Sequence, residues 1–246
     1  MERLAALGQV AGDVAHRIKG PLTTILVNTE VLTRKAGLAA EMQKQVDRIQ
    51  EEAFRCKEIV KGLLDLGRIE EIAFSRMDLR KPIRSALESM EAVRKEAGVR
   101  LEVRGLERAA DIRGDQSLIH EAVAAVLQNA LEAARTTGGA VRLTLKDSGR
   151  QAWWRRLVAR PRYEIAIEDE GKGIAPENIE KVFQPFFTTK KDGSGLGLSA
   201  ALRILEKHGG TIEAQSEGLG LGSRFALSFP KPGAERRGWL WKRRRA

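Results

Sequence analysis

Hydrophobic residues near the start of the chain recur with alternating spacings of three and four. In a first run they stand at positions 4, 7, 11, 14, 18, 22, 25 and 32, and in a second run at 42, 46, 49, 53, 56, 60 and 63. This period is typical of the seam between packed helices. Gly37 lies in the stretch RKAGLAAE between the two runs, where it favours a break. The pattern predicts an antiparallel helical hairpin over residues 1–76.

Two helices cannot cover both sides of such a seam. The hairpin is therefore predicted to dimerise into a four-helix bundle, in which the second copy covers the remaining apolar surface. Cys56, the only cysteine, stands at an apolar position of the second run. We expect its side chain to fill the core of the bundle.

The hydrophobic period changes around the stretch SRMDLRKPI. Short alternating runs follow, and five of them predict strands: VRLEVRG, AVRLTLKD, YEIAIEDE, GTIEAQSE and SRFALSFP. Helical periods lie between them at 82–97, 115–135 and 196–208. Such a mixture predicts an α+β fold over residues 77–231, an α/β sandwich with helices on one face of a single sheet. The stretch GLGLG at 218–222 lies between the last two strands and predicts a hairpin turn.

The net charge of +10 is concentrated in two stretches. Residues 231–246 hold seven Lys or Arg and one Glu, and residues 147–162 hold five Arg and one Asp. The remainder is balanced, which is unlike the broad basic face of a nucleic-acid-binding protein. We interpret residues 232–246 as a basic tail that contains tryptophan. It is either a solvated tail or a contact for an anionic membrane surface or an acidic partner.

Two stretches of the second domain carry candidate ligand-binding side chains. Asn129 lies on the helix EAVAAVLQNALEAA, and its amide oxygen is suited to Mg²⁺, which prefers oxygen ligands. Asp169 ends the strand YEIAI and begins the loop DEGKGI, where its carboxylate is suited to accept from an amino group such as that of adenine. Gly171 and Gly173 are expected to let the backbone approach a ring.

A third stretch, KKDGSGLGLSAALRIL, is a glycine-rich loop that opens a helix. Gly193, Gly195 and Gly197, together with Leu196, are expected to present backbone N–H groups to phosphates. The N-terminus of the following helix adds a positive potential for the same anions.

These stretches together with FQPFFTTK at 183–190 resemble the Bergerat-type ATP-binding domain. Sensor histidine kinases share this domain with the gyrase, heat-shock chaperone and mismatch-repair ATPases, the GHKL group. The resemblance implies ATP and Mg²⁺, with Asn129 at the metal, Asp169 at the adenine amino group and the glycine loop at the phosphates. It also implies that Lys190 reaches a phosphate. Three phenylalanines would help to hold a lid: Phe183, Phe186 and Phe187.

Two further features indicate which branch of this group the chain resembles. The ATPases have a Glu one helical turn before the Asn, where this chain has Ala125, so an ATPase-driven clamp is disfavoured. The stretch AHRIKGPLTTI resembles the phosphoacceptor box of two-component sensor histidine kinases. The resemblance implies a cytoplasmic homodimer, on its own or as the core of a longer or membrane-associated sensor. It also implies that this homodimer phosphorylates His16 and passes the phosphoryl group to an Asp of a response regulator receiver domain.

The phosphoacceptor box departs from the usual pattern at Arg17, where relatives have an acidic residue. Loss of a positioned base typically costs ~10²–10⁴ in rate. Either Asp13, three residues before His16 and on a neighbouring helix face, replaces it, or the chain is a weak or inactive ATP-binding dimeric scaffold. The other two histidines, His120 and His208, are predicted to be structural. His208 stands at a helix C-terminus, where a cation or a cap is favourable.

Overall fold

The computed structural model of the protein describes residues 18, 20–33, 42–50, 52–53, 56, 72–147, 162–190 and 193–232. The chain divides into two compact units. The first comprises residues up to Glu71 together with Pro185–Leu196, and the second comprises Ile72–Gln184 and the residues from Gly197 onward.

Where the first unit is described, it has a helix α1 over residues 20–33 and a helix α2 over residues 42–50. Three predicted seam positions are buried within it, Leu22, Val46 and Ala53, and so is Thr29, which was not predicted and lies seven residues after Leu22. Leu26 packs against Leu22 and Ala53. We call these four positions the buried seam half. The helical hairpin predicted from the period of three and four is therefore confirmed where it is described.

The other half of the seam is exposed on the single chain. It consists of Ile18, Ile25, Leu32, Met42, Ile49 and Cys56, again seven residues apart on each helix. We call these six positions the exposed seam half. A groove of about 380 Å³ runs along part of it, lined by Leu22, Ile25, Arg48, Ile49, Glu52, Ala53 and Cys56. Cys56 is exposed on the single chain, because only one side of each helix is covered by the other helix, and its expected place in the core of the bundle stays a prediction.

The second unit contains a sheet of five strands in the order β2-β4-β5-β7-β6. The strands are β2 Arg100–Arg104, β4 Ala140–Asp147, β5 Arg162–Asp169, β6 Thr211–Gln215 and β7 Ser223–Pro230. β2 pairs with β4 in parallel, and the other pairs are antiparallel. All five are the strands predicted from alternation. Two short strands that were not predicted, β1 Ser75–Asp78 and β3 Asp111–Gly114, form a separate antiparallel pair.

The described part of this unit has four α-helices: α3 Arg80–Ser89, α4 Glu91–Ala97, α5 Gln116–Arg135 and α6 Gly197–Lys207. The helix predicted over 82–97 is thus two helices that meet at Met90. Asp115 caps α5, because its side chain accepts from the backbone N–H groups of Ser117 and Leu118. Within the described residues, no helix is long and apolar enough to cross a lipid bilayer.

The core lies between α5 and one face of the sheet. Leu143, Ile167 and Phe225 form one buried row across three neighbouring strands, and Leu145, Ile165 and Leu227 form the next. Alternate residues point to the opposite face, which carries a row of paired charges. Its members, in register across four strands, are Glu102, Arg142, Glu168 and Arg224. One face is therefore solvated and the other covered, as the predicted sandwich requires.

Candidate functional site

Asp169 lies at the end of β5 on the covered face of the sheet. It is directly opposite Val141 on one neighbouring strand and Ser223 on the other. Its Oδ2 accepts a hydrogen bond of 2.5 Å from the Ser223 hydroxyl, and its Oδ1 accepts one of 2.9 Å from the Gly171 N–H. Burial raises the pKa of the Asp169 carboxyl, and these hydrogen bonds oppose the rise. The result is a fixed, buried acceptor that carries little hydration to displace.

The loop after Asp169 is held on one side by the C-terminal end of α5. The Thr137 hydroxyl donates to the Glu170 carbonyl at 2.8 Å, and the Glu170 N–H donates to the Ala140 carbonyl at 3.0 Å. A Cβ at Gly171 would lie 2.5 Å from the carbonyl carbon of Ala133. Only glycine fits this approach to the helix without a shift of backbone.

On its other side the loop is held by the turn at 218–222. The N–H groups of Gly220 and Gly222 donate to the carbonyls of Lys172 and Gly171 at 2.7 and 3.1 Å. Gly173 has a φ of 68°, and a Cβ there would lie 2.0 Å from the Gly218 carbonyl oxygen. The predicted hairpin turn is confirmed. A Cβ at Gly171 or Gly173 would meet the protein itself, which explains glycine at both positions, and the approach of their backbone to a ring stays a prediction.

One face of α5 runs from the start of α6 to this loop. A Cβ on Gly197, the first residue of α6, would lie 3.6 Å from the Cβ of Ala125. Asn129 is one helical turn after Ala125 and one turn before Ala133, which touches Gly171. Asn129 is half-buried. Asn129 therefore lies on the part of α5 that runs from the N-terminus of α6 to the loop after Asp169.

The glycine loop and Lys190 belong to the first unit. The Phe186 N–H donates to the Gly195 carbonyl at 3.0 Å, so residues 186–195 form a closed loop. Both residues at this closure have positive φ, 65° at Phe186 and 67° at Gly195, and a Cβ at Gly195 would lie 2.5 Å from the Phe186 carbonyl carbon. The Phe186 side chain is 55% exposed. Glycine is thus required at 195 by the loop's own closure.

Within that loop, short side chains hold the backbone around Lys190. The Lys190 N–H donates to the Thr188 hydroxyl at 3.1 Å, and a Cβ at Gly193 would lie 2.5 Å from the same oxygen. The Leu196 N–H donates to the Ser194 hydroxyl at 3.4 Å. Phe183, in the second unit, packs edge-on against Phe225 of β7, with ring centroids 6.3 Å apart. Phe183 and Phe187 are half-buried and Phe186 is exposed, and their role in holding a lid stays a prediction.

Two domain families match the chain in succession. The His Kinase A (phospho-acceptor) domain matches residues 6–72, and the Histidine kinase-, DNA gyrase B-, and HSP90-like ATPase domain matches residues 114–233. The chain belongs to the sensor histidine kinases. The resemblance inferred from the sequence is confirmed, as is the order of a helical phospho-acceptor region and an α/β ATP-binding domain.

The relatives of this kinase chain agree with the domain matches. It is 30% identical over 229 residues to the sensor histidine kinase ZraS of Escherichia coli strain K12, which covers 93% of the chain and 46% of ZraS. The chain thus spans about half the length of such relatives. Histidine kinase ThkA, solved in complex with the response regulator protein TrrA, is 26% identical with a TM-score of 0.65, covering 96% of the chain and 65% of ThkA.

Full-length ShkA, solved in complex with AMPPNP, has the same fold. Its TM-score is 0.68 at 23% identity, covering 90% of the kinase chain and 45% of ShkA.

The residues of the ATP-binding domain fit a magnesium ion that would be held mainly by the phosphates of a bound nucleotide. Across the described ranges, no group of three or more His, Cys, Asp or Glu side chains is arranged to hold a metal. Mg²⁺ at nucleotide sites commonly takes only one or two protein oxygens, and the substrate phosphates and water supply the rest. The single amide oxygen of Asn129 is consistent with that arrangement.

Several predicted functional residues lie outside the described residues. They are the acceptor His16, its neighbours Asp13 and Arg17, and most of the basic tail, residues 233–246. Nothing in the structure bears on their geometry.

His208 is buried at the C-terminal end of α6, and of the two predicted alternatives, a cation or a cap, its contact there fits the cap. Its Nδ1 lies 2.7 Å from the Ile204 carbonyl, and its Nε2 accepts from the Asp115 N–H at 3.0 Å. Burial lowers the pKa of His208. The ring therefore joins the end of α6 to the N-cap of α5, and its role in the described fold is structural.

Sequence reasoning missed the side chains that support Asp169. Ser223 holds the carboxylate, Thr137 holds the Glu170 carbonyl, and the Ser216 hydroxyl accepts from the Ile174 N–H at 3.0 Å and donates to the Gly222 carbonyl at 2.6 Å. Of these side chains, only Ser223 could have been inferred from the sequence pattern. It stands at the start of an alternating strand, on the same face as the buried phenylalanines that follow it.

Proposed function

We propose that the chain is an ATP-dependent protein-histidine kinase that phosphorylates its own His16 and passes the phosphoryl group to an aspartate of a response regulator. The observation that carries this proposal is the succession of a phospho-acceptor domain and an ATP-binding domain in one chain. Each domain supplies what the other lacks, since one offers a nucleophile and the other a bound phosphoryl donor.

In the proposed site, adenine is selected by the buried carboxylate of Asp169. Its oxygens already accept from Ser223 and Gly171, and a carboxylate oxygen has a further lone pair for the exocyclic amino group. Asn129 would hold Mg²⁺, and the Gly193–Gly197 loop with Lys190 would bind the phosphates. The N-terminus of α6, directly after that loop, favours anions.

The phosphoryl step then requires one unprotonated imidazole nitrogen. That nitrogen of His16 attacks the γ-phosphorus, the bond from this phosphorus to the oxygen bridging to the β-phosphate breaks, and ADP leaves with the bonding electrons. The proton on the other ring nitrogen passes to a base, for which we propose Asp13. In the second step the phosphorus–nitrogen bond breaks as an aspartate oxygen of the regulator attacks, and the imidazole is regenerated.

We also propose that the kinase acts as a homodimer. The exposed seam half supports this, because six apolar positions spaced by seven residues are solvated on the single chain. A second hairpin packed against them would complete a four-helix bundle. ThkA was solved with a response regulator protein, and a receiver domain is the partner we propose here. We propose a cytoplasmic location, where a thiol such as Cys56 stays reduced.

Incubation with γ-labelled ATP and Mg²⁺ tests the proposal. We expect label on the wild-type chain that is labile in acid and stable in base, as a phosphoramidate is. The label should be absent from His16→Gln, which still binds ATP. Asp169→Asn keeps an acceptor for the Gly171 N–H but loses the charge, so we expect its ATP affinity to fall by about 10- to 100-fold. Equal labelling of wild type and His16→Gln would refute the assignment of the acceptor.

Arg17, in place of the usual acidic residue, is the reason for an alternative to this proposal. In the alternative, the chain is a catalytically weak scaffold that binds ATP. If Asp13 replaces the missing carboxylate, Asp13→Ala should lower the labelling rate by ~10²–10⁴ while leaving ATP binding intact. If the chain is a scaffold, wild type should label poorly and Arg17→Glu should restore the reaction. Unchanged labelling in Asp13→Ala would exclude Asp13 as the base.

A further inference from the structure

The segment that connects the two matched domains is held at its start by the ATP-binding domain. Residues 73–113 lie between the phospho-acceptor match and the ATP-binding match. The first of them, Ala73, donates its backbone N–H to the Asp115 Oδ2 at 3.3 Å. The next, Phe74, places its ring centroid 5.2 Å from that of His208. Two residues of the ATP-binding domain thus hold the point at which the chain enters the second unit.

Asp115 divides its carboxylate between two tasks. Its Oδ1 accepts from the N–H groups of Ser117 and Leu118 at 2.9 and 3.2 Å and so caps α5. Its Oδ2 accepts from Ala73. The Asp115 N–H in turn donates to the His208 Nε2 at 3.0 Å. One residue therefore joins the connecting segment, the N-terminus of α5 and the residue that follows α6.

His208 is fixed on every side that the structure describes. Its buried ring lies between two aromatic rings, with centroids 5.2 Å from Phe74 and 6.3 Å from Phe229. Its Nδ1 lies 2.7 Å from the Ile204 carbonyl. The ring cannot turn without the loss of one of these contacts. Phe74 is 43% exposed, so it packs on His208 at the margin of the core and not inside it.

The strand pair β1–β3 extends this hold along the chain. Ser75, the first residue of β1, is opposite Gly114, which directly precedes Asp115. A Cβ at Gly114 would lie 2.9 Å from the His208 Cδ2, so the glycine leaves the space that the ring fills. The six consecutive residues 73–78 are therefore each held by a hydrogen bond, a ring contact or strand pairing.

Two helices run from this cluster toward the proposed nucleotide site. α5 begins beside it and α6 ends beside it, and at their other contact Ala125 lies next to Gly197. The two contacts are about ten residues apart on each helix, or roughly 15 Å. Asn129 lies one turn beyond Ala125. A pair of packed helices is a rigid element, so the direction of the connecting segment is fixed relative to the nucleotide site.

We propose that Asp115 and Phe74 are positioning residues for the transfer of the phosphoryl group to His16. With His208 they form what we call the entry clamp, which sets the direction in which the connecting segment leaves the ATP-binding domain. This inference rests on the proposed kinase activity. Transfer between two linked domains depends on how closely the link restricts their orientation, and a misplacement of about 1 Å can cost about 100-fold in rate. The clamp lies away from Asn129 and should not affect ATP binding.

The variant Asp115→Asn separates the two tasks of this residue. Asn caps a helix as well as Asp does, so its amide oxygen keeps the cap of α5. Its amide nitrogen would face the Ala73 N–H, and two donors cannot bond. We expect the rate of His16 labelling at saturating ATP to fall by about 10- to 100-fold with the affinity for ATP unchanged. Glu107→Gln removes one exposed carboxylate elsewhere in the unit and should label as wild type.

The variant Phe74→Ala removes the ring from His208, and we expect a fall in rate of the same order. Val103→Ala is its control, since Val103 is an apolar residue of similar exposure, 40%. In both clamp variants trypsin should cleave faster after the exposed Arg76 of β1, because the start of this strand is no longer held. The cleavage needs neither ATP nor transfer, so it measures the clamp apart from the kinase activity.

The outcomes separate the clamp from the kinase activity. Labelling of both variants at the wild-type rate would overturn the positioning role. So would a loss of ATP affinity in proportion to the loss of rate, since the residues would then only stabilise the domain. Unchanged cleavage after Arg76 in variants of a chain that does label would refute the clamp alone. A wild-type chain without label would refute the proposed kinase activity, and the role in transfer with it.

Discussion

Buried polar side chains determine much of the local structure around the nucleotide site. Asp169 and His208 are both largely removed from water, and burial shifts both pKa values toward the neutral form. Asp169 was predictable, because it ends a hydrophobic strand and begins a glycine-bearing loop. Its supporting residues were not, since Ser223, Thr137 and Ser216 lie 54, 33 and 42 residues from their partners. Such contacts depend on strand order, which a sequence pattern does not specify.

His208 gives a prediction for the pH dependence of stability. Its pKa is lowered in the folded state, so the unfolded chain binds the proton more tightly. Stability is therefore complete above the unfolded pKa near 6.5 and decreases as the pH falls through it toward the folded value. A protonated Nε2 would face the Asp115 N–H, donor against donor. The loss amounts to about 1.4 kcal/mol for each unit by which the pKa is lowered.

Urea unfolding of the wild type and of His208→Gln at pH values between about 8 and 5 measures this effect. Gln keeps an acceptor for the Asp115 N–H but does not titrate. We expect the wild type to lose more free energy of unfolding than the variant as the pH is lowered. Parallel pH profiles for the two proteins would show that His208 does not titrate in this range.

At the scale of helices and strands, the sequence patterns predicted the elements that are long enough to show a clear alternation or a helical period. The five strands of the large sheet and the helices near 115–135 and 196–208 were all predicted. β1 and β3 were missed because each has four residues, too few for a recognisable alternation. The helix predicted over 82–97 divides at Met90, where the backbone remains in the right-handed helical region with ψ near −1°. No glycine or proline marks that division.

The packing of the 218–222 turn against the Asp169 loop predicts an unequal effect of two similar substitutions. Gly173 and Gly138 have nearly the same φ, 68° and 69°, but a Cβ meets the Gly218 carbonyl oxygen at 173 and nothing within 4 Å at 138. Gly138→Ala should cost about 1–2 kcal/mol for the left-handed backbone alone. Gly173→Ala should lower the free energy of unfolding by that amount and, because the turn must be displaced, by at least about 2 kcal/mol more.

Chemical unfolding of both variants gives the comparison, with ATP binding as a second readout. Gly173→Ala should also weaken ATP binding, because the displaced turn holds the loop that follows Asp169. If the two variants are destabilised equally, the close approach at Gly173 does not constrain the fold.

At the scale of the whole molecule, the two seam halves are the reason that we propose a second copy as the partner of the hairpin. The spacing of three and four predicted which positions form the seam. It did not predict which half of the seam each helix buries against the other helix. The structure separates them, with Leu22 and Val46 buried and Ile25 and Ile49 exposed. The exposed seam half is the surface that we expect a second copy to cover.

A charge on the exposed seam half should separate the dimer. Ile25→Glu/Ile49→Glu would place carboxylates in an apolar interface, where unpaired charges are costly. We expect a shift from dimer to monomer in light scattering behind size exclusion, with the hairpin still helical. Val27→Glu is the matched control, since Val27 is 53% exposed on the same helix but off the seam. If the wild type, the double variant and the control are all dimers, the dimer interface does not lie on the exposed seam half.

The central claim is that one chain carries both the phosphoryl donor site and its acceptor. Mass spectrometry of the tryptic peptide Leu4–Arg17, after incubation with ATP and Mg²⁺ at neutral pH, tests it most directly. The account predicts a single phosphoryl group on His16 that is lost on brief acid treatment and absent from Asp169→Asn at low ATP. An unmodified peptide from protein that demonstrably binds ATP, or an acid-stable phosphate on another residue, would contradict it.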